Sequence, residues 1–423
     1  MARRTRAEWR SGDALGAGAD APFSLRSVAL PAFAPAALFG LASGAMLPVI
    51  VASAYERGAS TAVTAFIGSL LGIGSLLTNI PSGILATRVG ERRAMLVAAA
   101  VTVGGLALCV VDLGHGAGSV ALFASGVFLV GCASSVYNLA RQSYLTEMVP
   151  PEMRARALST LGGTMRIGVF VGPFLGALAT AFGGVPAAYL VGVVAILLAA
   201  LVVHRAPDLE LSPEQRLAGA EVTTRKVLRE HWRLFATLGL GVLLLSAIRQ
   251  TRQTVIPLWA HHIGISPAES SIVYGIAGAV DAMTFYPAGR VMDHHGRRIV
   301  AVPCAVVMGL ACILMPLTHG LFTLILVAML MGFGNGIGSG IVMTLATDVS
   351  PAAGRLTFLA VWRELADAGA ALGPLILSLA TGAGGLGNGL VVSGLVGVAA
   401  GVALWRWIPA SAGLARAAAA DRR

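Results

Sequence analysis

Twelve apolar runs, each long enough to cross a bilayer, dominate this 423-residue sequence and leave almost no chain for anything else. They fall at about 28–54, 60–86, 94–113, 118–146, 156–182 and 186–204, then at about 233–260, 267–291, 299–318, 321–346, 355–381 and 388–408. A membrane helix needs about 20 mostly apolar residues to cross a hydrocarbon core about 30 Å thick. Only 12% of the residues are charged, against roughly 25% in soluble domains. A water-soluble enzyme on a minor anchor is therefore excluded. Most of the 53 glycines and 19 prolines lie within the apolar runs, where membrane helices tolerate them. Cys109, Cys132, Cys304 and Cys312 sit in apolar segments without CxxC spacing, so they read as small packing residues. Arg3 and Arg4 are not followed by the apolar stretch and cleavage site of an export signal, so the first span is expected to remain in the mature protein.

The location of the positive charge gives the orientation. With the amino end inside, 24 of the 30 Lys and Arg fall in inside segments, one (Arg57) falls outside, and five lie within spans. Cytoplasmic connections retain Lys and Arg, so both termini are expected in the cytoplasm of a multi-pass cell (inner or plasma) membrane protein. The net charge of +10 is then a topology signal and a contact with anionic lipid rather than a nucleic-acid surface. The expected organisation is a cytoplasmic tail over 1–27, a six-helix bundle over 28–204, a cytoplasmic linker over 205–232, a second six-helix bundle over 233–408 and a tail over 409–423.

The halves repeat. Pro81-Ser82-Gly83 followed by Gly90, Arg92 and Arg93 returns 206 residues later as Pro287-Ala288-Gly289 followed by Gly296, Arg297 and Arg298. Thr146-Glu147 with Pro150 and Arg154 returns as Thr347-Asp348 with Pro351 and Arg355, and Gly168, Gly172 and Pro173 return as Gly369, Gly373 and Pro374, both at an offset of 201. Duplicated membrane halves point to a binding site between them near the midplane. The predicted fold class is an all-α membrane protein of twelve transmembrane helices in two pseudo-symmetric six-helix bundles.

These motifs resemble those of the major facilitator superfamily over nearly the whole chain. Its connection after the second span has the pattern G-x-x-x-D-R-x-G-R-R. Here that pattern is Gly289, Asp293, Gly296, Arg297 and Arg298 in the second half, with His294 in place of the first arginine. The first half has Gly83, Arg88, Gly90, Arg92 and Arg93, with Thr87 where the aspartate belongs. The resemblance implies a gating latch whose basic residues pair with carboxylates at neighbouring helix ends. Glu147 with Arg154 and Asp348 with Arg355 are expected in the same network. Gly168-x-x-x-Gly172-Pro173-x-x-Gly176 in the fifth span looks like the signature of the drug/proton antiporters, with Ala177 in place of a further glycine. Small residues four apart allow close helix packing, and proline bends a helix, so this run and Gly369, Gly373 and Pro374 are expected to form a pivot. Retention of positive charge and ordinary small-residue packing are the plainer readings of the same residues.

Ionisable residues inside the hydrocarbon are costly and are functional candidates by default. Here they are Arg141, Arg166, Arg249, Arg252 and Arg363 with Asp281, Glu364 and Asp367. At about 1.5 Å per residue, Arg166, Asp281, Glu364 and Asp367 reach depths of roughly 13–18 Å, which suggests one central cavity. Asp281 is the first candidate proton carrier, with Glu364 and Asp367 next. Arg166, Arg249, Arg252, Arg363, Asn138 and Asn335 are the candidate substrate contacts. Arg363 and Asp367, four apart, could simply neutralise each other. The basic excess within the spans leans towards an anionic, zwitterionic or amphipathic solute. His261-His262 and His294-His295 lack surrounding ligands, and no nucleotide, zinc or nucleophile motif is present, so neither metal, cofactor nor catalysis is expected. The expected function is proton-driven export of a small molecule by rocking alternating access, probed against two others: proton-coupled uptake of an organic anion or sugar-like solute, and a non-transporting receptor or scaffold. The expected partners are a small solute, protons and lipid, with the monomer as the working unit.

Overall fold

A computed structural model describes residues 29–111, 119–149, 153–206, 224–351 and 355–408. The tails expected at 1–27 and 409–423, most of the linker expected at 205–232, and the side chains of Arg154 and Asp293 lie outside that description. The described residues form helices and short turns, with no strand among them. In order the helices are α1 (Ala29–Met46), α2 (Val49–Glu56), α3 (Thr61–Val89), α4 (Glu91–Val111), α5 (Val120–Met148), α6 (Arg154–Arg205) and the short α7 (Thr224–Glu230). Then come α8 (Leu240–His262), α9 (Pro267–His295), α10 (Arg298–Leu314), α11 (Leu321–Ile337), α12 (Ile341–Val349) and α13 (Arg355–Trp407).

The twelve expected spans map onto these elements through breaks at glycine and proline. α1 and α2 are the two pieces of one expected span, with Pro48 at the start of the second piece. α6 and α13 each hold two crossings. Their breaks fall at Gly184 (φ 70°) and at Gly384 and Gly385 (φ of Gly385 81°). Such a positive φ is open to glycine at no steric cost. α11 and α12 share one span across Gly340, also at positive φ. α9 carries Asp281 and Arg290 and completes the twelve.

Contacts gather the chain into two compact units, Met1–Leu47 with Ile73–Gly219, and Pro48–Gly72 with Ala220–Arg423. The segment Pro48–Gly72 therefore belongs by its contacts with the second unit. Ser378 donates to the Ala62 carbonyl at 2.7 Å and Tyr55 stacks on His261 at 4.0 Å.

Within the first unit α1 lies along α6, and α4 packs on α5 and α6. Within the second, α8 lies along α13, and α10 packs on α11 and α13. The same pairing order in both agrees with the sequence repeat. Lipid gives no hydrophobic drive for helix association, so close packing has to supply it. Glycines do so here: Gly105 meets the Gly126 carbonyl between α4 and α5, and Gly309 meets the Gly394 carbonyl between α10 and α13. Hydroxyls inside the bundles bond back to their own helices, as Thr102 does to Ala98 and Thr251 to Ala247, both at 2.8 Å. A polar group without water must be satisfied internally. Large apolar side chains such as Phe182 and Ile80 stay exposed, as lipid contact requires.

Candidate functional site

The charged centre of the second unit is built on α8, α9, α10 and α11. Arg249 and Arg252 are three residues apart on α8 and so share a face. The Arg252 guanidinium lies 3.6 Å from Asp281 Oδ2, the arginine buried and the carboxylate partly so. Asn335 Nδ2 donates to the same Oδ2 at 2.6 Å, while Arg249 Nε donates to Asn335 Oδ1 at 2.8 Å. Arg249 also reaches the Gly338 carbonyl at 3.5 Å, and the Tyr274 ring faces the Arg252 guanidinium at 5.6 Å. Cys304 on α10 lies close enough to feel the charges of both Arg249 and Asp281. The result is a chain of polar contacts from Arg252 to Asp281 and, through the neutral Asn335, to Arg249.

A glycine stripe sets the reach of Asn335. A methyl on Gly332 would run into the Ala277 backbone, one on Gly336 into Thr284 and the backbone of Asp281, and one on Gly338 into Cys304. α11 therefore lies against α9 and α10 more closely than any side chain would allow. The sequence reading overlooked Gly332, Gly336 and Gly338, and also Tyr274. The signal was present in Gly332-Phe333-Gly334-Asn335-Gly336-Ile337-Gly338, where small residues recur four apart.

Other candidates are placed elsewhere. Glu364, Arg363 and Asp367 are half-buried on α13, and Arg363 Nε lies 3.9 Å from Asp367 Oδ2, one helical turn away. In the first unit Arg166 is half-buried on α6, and Asn138 accepts from Arg141 at 3.0 Å within α5.

Most of the residues expected to form a latch lie at or near helix ends. Arg297 Nε bonds Asp348 Oδ2 at 2.8 Å, and its Nη1 donates to the Met292 carbonyl at 3.2 Å. Asp348 thus meets an arginine 51 residues earlier, while Arg355 is exposed at the start of α13. Arg298 stacks over Trp405 at 4.8 Å. Gly296 takes a φ of 92° and Gly90 one of 87°, so each turn needs its glycine. In the first unit Arg92 donates to the carbonyls of Val203 and His204, and Arg88 and Arg93 are exposed. Glu91, which the sequence reading passed over, is buried and accepts from Ser143 at 3.1 Å. Glu147 is half-buried near the end of α5. Gly289 has open space around it, and Gly83 has only Leu139 in ordinary contact.

The expected pivot glycines are packing points within each unit. On α6, a methyl on Gly172 would lie 2.5 Å from the Leu41 carbonyl oxygen of α1, Gly168 abuts Ala37, Gly176 abuts Ala45, and Pro173 touches Gly44. On α13, Gly369 abuts Leu243 and Gly373 abuts Ala247 of α8, with Pro374 next in the helix.

Two repeated helical units with a buried charge relay define a polytopic membrane protein of the transporter type. The sequence profile of the Major Facilitator Superfamily matches residues 33–251 and again 238–422. The chain belongs to that superfamily, whose members are transporters of small molecules rather than enzymes. A search of curated proteins finds no match. Among solved structures, a POT family transporter in complex with a thioalcohol-conjugated peptide is similar at a TM-score of 0.73 and 14% identity, over 91% of this chain and 96% of that one. The xylose transporter XylE from E. coli, in an inward-open conformation, matches at 0.67 and 18% over 91% and 97%. The nucleoside transporter NupG matches at 0.69 and 15% over 90% and 98%. At these identities the likeness is one of fold.

Proposed function

We propose that this chain is a proton-coupled secondary transporter that takes up a small organic anion together with protons by rocking alternating access. The observation that carries this reading is Asp281, held 3.6 Å from Arg252 and 2.6 Å from an Asn335 that is itself braced by Arg249. A carboxylate beside an arginine favours its charged form, and desolvation favours its neutral form. A change of state that separates Asp281 from Arg252 therefore lets the carboxyl load a proton on one side and release it on the other. Glu364 and Asp367 are secondary candidates for the same task. The protein works in the cell membrane with both termini cytoplasmic, as a monomer of two six-helix bundles. The Arg297–Asp348 pair at 2.8 Å serves as part of a cytoplasmic latch that favours one state. The solved structures of similar fold include a D-xylose–proton symporter, which supports symport as a use of this architecture.

The second reading is proton-driven export of a drug-like or amphipathic solute. It is favoured by Gly168, Gly172, Pro173 and Gly176 on α6, which resemble the antiporter signature. Against it stands the repetition of the same packing at Gly369, Gly373 and Pro374, which makes the feature a product of duplication. Proteoliposomes under an imposed pH gradient test both. Uphill solute entry with the proton flux supports symport, and movement against it supports export. Asp281→Asn abolishes either while the protein still inserts. Normal coupled transport in that variant removes Asp281 from the mechanism.

A further inference from the structure

A cavity of about 260 Å³ opens on the surface of the second unit between α9, α10 and α11. Met283, Pro287 and Val291 of α9, Ile299 of α10, and Phe333 and Ile337 of α11 form most of its wall. Gly336 pins α11 to α9 at Thr284, and α11 stops one residue later at Ile337. Past Thr284, the small Ala288 faces the gap and does not fill it. Among the described residues of the wall, only Thr284 carries a polar side chain. Its hydroxyl already donates to the carbonyls of Val280 at 2.8 Å and Asp281 at 3.1 Å. A void in apolar packing forfeits contact energy, and a water needs about two to four polar partners to stay in one. The wall therefore suits hydrocarbon and offers nothing to a polar solute.

A basic group stands at one end of this wall. Arg290 shares the face of α9 that carries Met283 and Pro287, seven and three residues earlier. At about 1.5 Å per residue, it lies roughly 4–10 Å beyond those two along the helix. Its guanidinium stacks over the Tyr286 ring at 4.7 Å, and its Nη2 donates to the Tyr286 hydroxyl at 3.0 Å. His294 Nδ1 lies 2.8 Å from the Arg290 carbonyl, and all three side chains are exposed. Tyrosine gathers at the headgroup level of a bilayer, and an arginine keeps its charge there while its stem lies along apolar surface.

We propose that the cavity holds one acyl chain of an anionic phospholipid from the leaflet at the α9–α10 turn, with the lipid phosphate against Arg290. The apolar wall takes the chain and the arginine takes the charge, so one molecule is retained where the neighbouring lipids exchange. In the orientation proposed above, that leaflet is the cytoplasmic one, which carries anionic lipid. The seated lipid braces α9 along the stretch between Asp281 and the turn at Gly296.

The test is native mass spectrometry of the full chain in detergent. The probes are dioleoyl phosphatidylglycerol, phosphatidylcholine and phosphatidylethanolamine with the same chains, and glycerophosphoglycerol, which has the headgroup and no chains. The expected result is one phosphatidylglycerol held about fivefold more tightly than either zwitterionic lipid, the weight of one arginine at an anionic surface. Glycerophosphoglycerol does not bind detectably. Arg290→Gln brings the three lipids level, whereas Arg406→Gln, at an exposed arginine near the end of α13, leaves the preference unchanged. Ala288→Leu fills the cavity and weakens all three lipids about tenfold, the equivalent of about two buried methylenes. Phosphatidylglycerol also raises the melting temperature more than phosphatidylcholine does, because it binds the folded chain, and that excess is gone in Arg290→Gln. Equal retention of anionic and zwitterionic lipids, a preference that survives Arg290→Gln, or headgroup binding without chains would each overturn the proposal. Undiminished lipid binding in Ala288→Leu would do the same. If Ala288→Leu fails to fold, the Arg290→Gln and glycerophosphoglycerol measurements decide alone.

Discussion

Asn335 donates to Asp281 Oδ2 at 2.6 Å and so stands between that carboxylate and Arg249, which donates to the other end of the same amide. One uncharged side chain thus holds an anion and a cation that do not touch. Leucine, of nearly the same size, can satisfy neither. Asn335→Leu should cost on the order of 1–3 kcal/mol, the penalty for leaving buried polar partners unpaired. A lowered melting temperature in detergent, with coupled transport strongly reduced, is the expected measurement. An unchanged melting curve would mean that the amide is not a brace.

How much of this was legible in the sequence depends on what each feature requires. The twelve spans and the repeat follow from run length and motif order, and Asp281 stood out because an acid in an apolar run is rare. Its partners could only be narrowed to several arginines, since helix rotation decides which side chains meet. The pairing of Asp348 with Arg297 rather than Arg355, and of Glu91 with Ser143, depends on contacts between helices far apart in sequence. The grouping of Pro48–Gly72 with the second unit has no local signature at all.

The proposed latch is separable from stability. Arg297 and Asp348 are about a quarter exposed at 2.8 Å, and an ion pair open to solvent contributes about 0–1 kcal/mol. Arg297→Ala should therefore leave the melting temperature within a few degrees and change turnover several-fold. Exchanging the two charges, Arg297→Asp with Asp348→Arg, should recover part of the turnover. If the exchange restores nothing, the pair does not act as a gate.

Arg363 and Asp367 sit one turn apart with both side chains partly open to solvent at 3.9 Å. Their mutual attraction is correspondingly weak. Neutralising both, as Arg363→Gln with Asp367→Asn, should leave insertion normal and proton coupling largely intact, in contrast to Asp281→Asn. Loss of pH-driven transport in this double variant with retention in Asp281→Asn would move the proton from α9 to α13.

Glycine motifs divide into those that pack and those that turn or stand open. A methyl on Gly172 would lie 2.5 Å from the Leu41 carbonyl oxygen and 2.8 Å from the Ala45 nitrogen, both backbone atoms that cannot step aside. Gly289, at the matching level of conspicuousness in the sequence, has nothing within 4 Å. Gly172→Val should therefore force α1 and α6 apart, with a penalty of about 1–3 kcal/mol typical of overpacking and slowed exchange between states. Gly289→Ala should leave folding and turnover close to normal, and on a helix alanine is the better former by about 1 kcal/mol. Thermal unfolding and transport rate measured on the two variants side by side decide the matter. Equal tolerance at both positions would show that α1 and α6 are free to separate at no cost, and Gly172 would then lose its place in any account of how the first unit is held together.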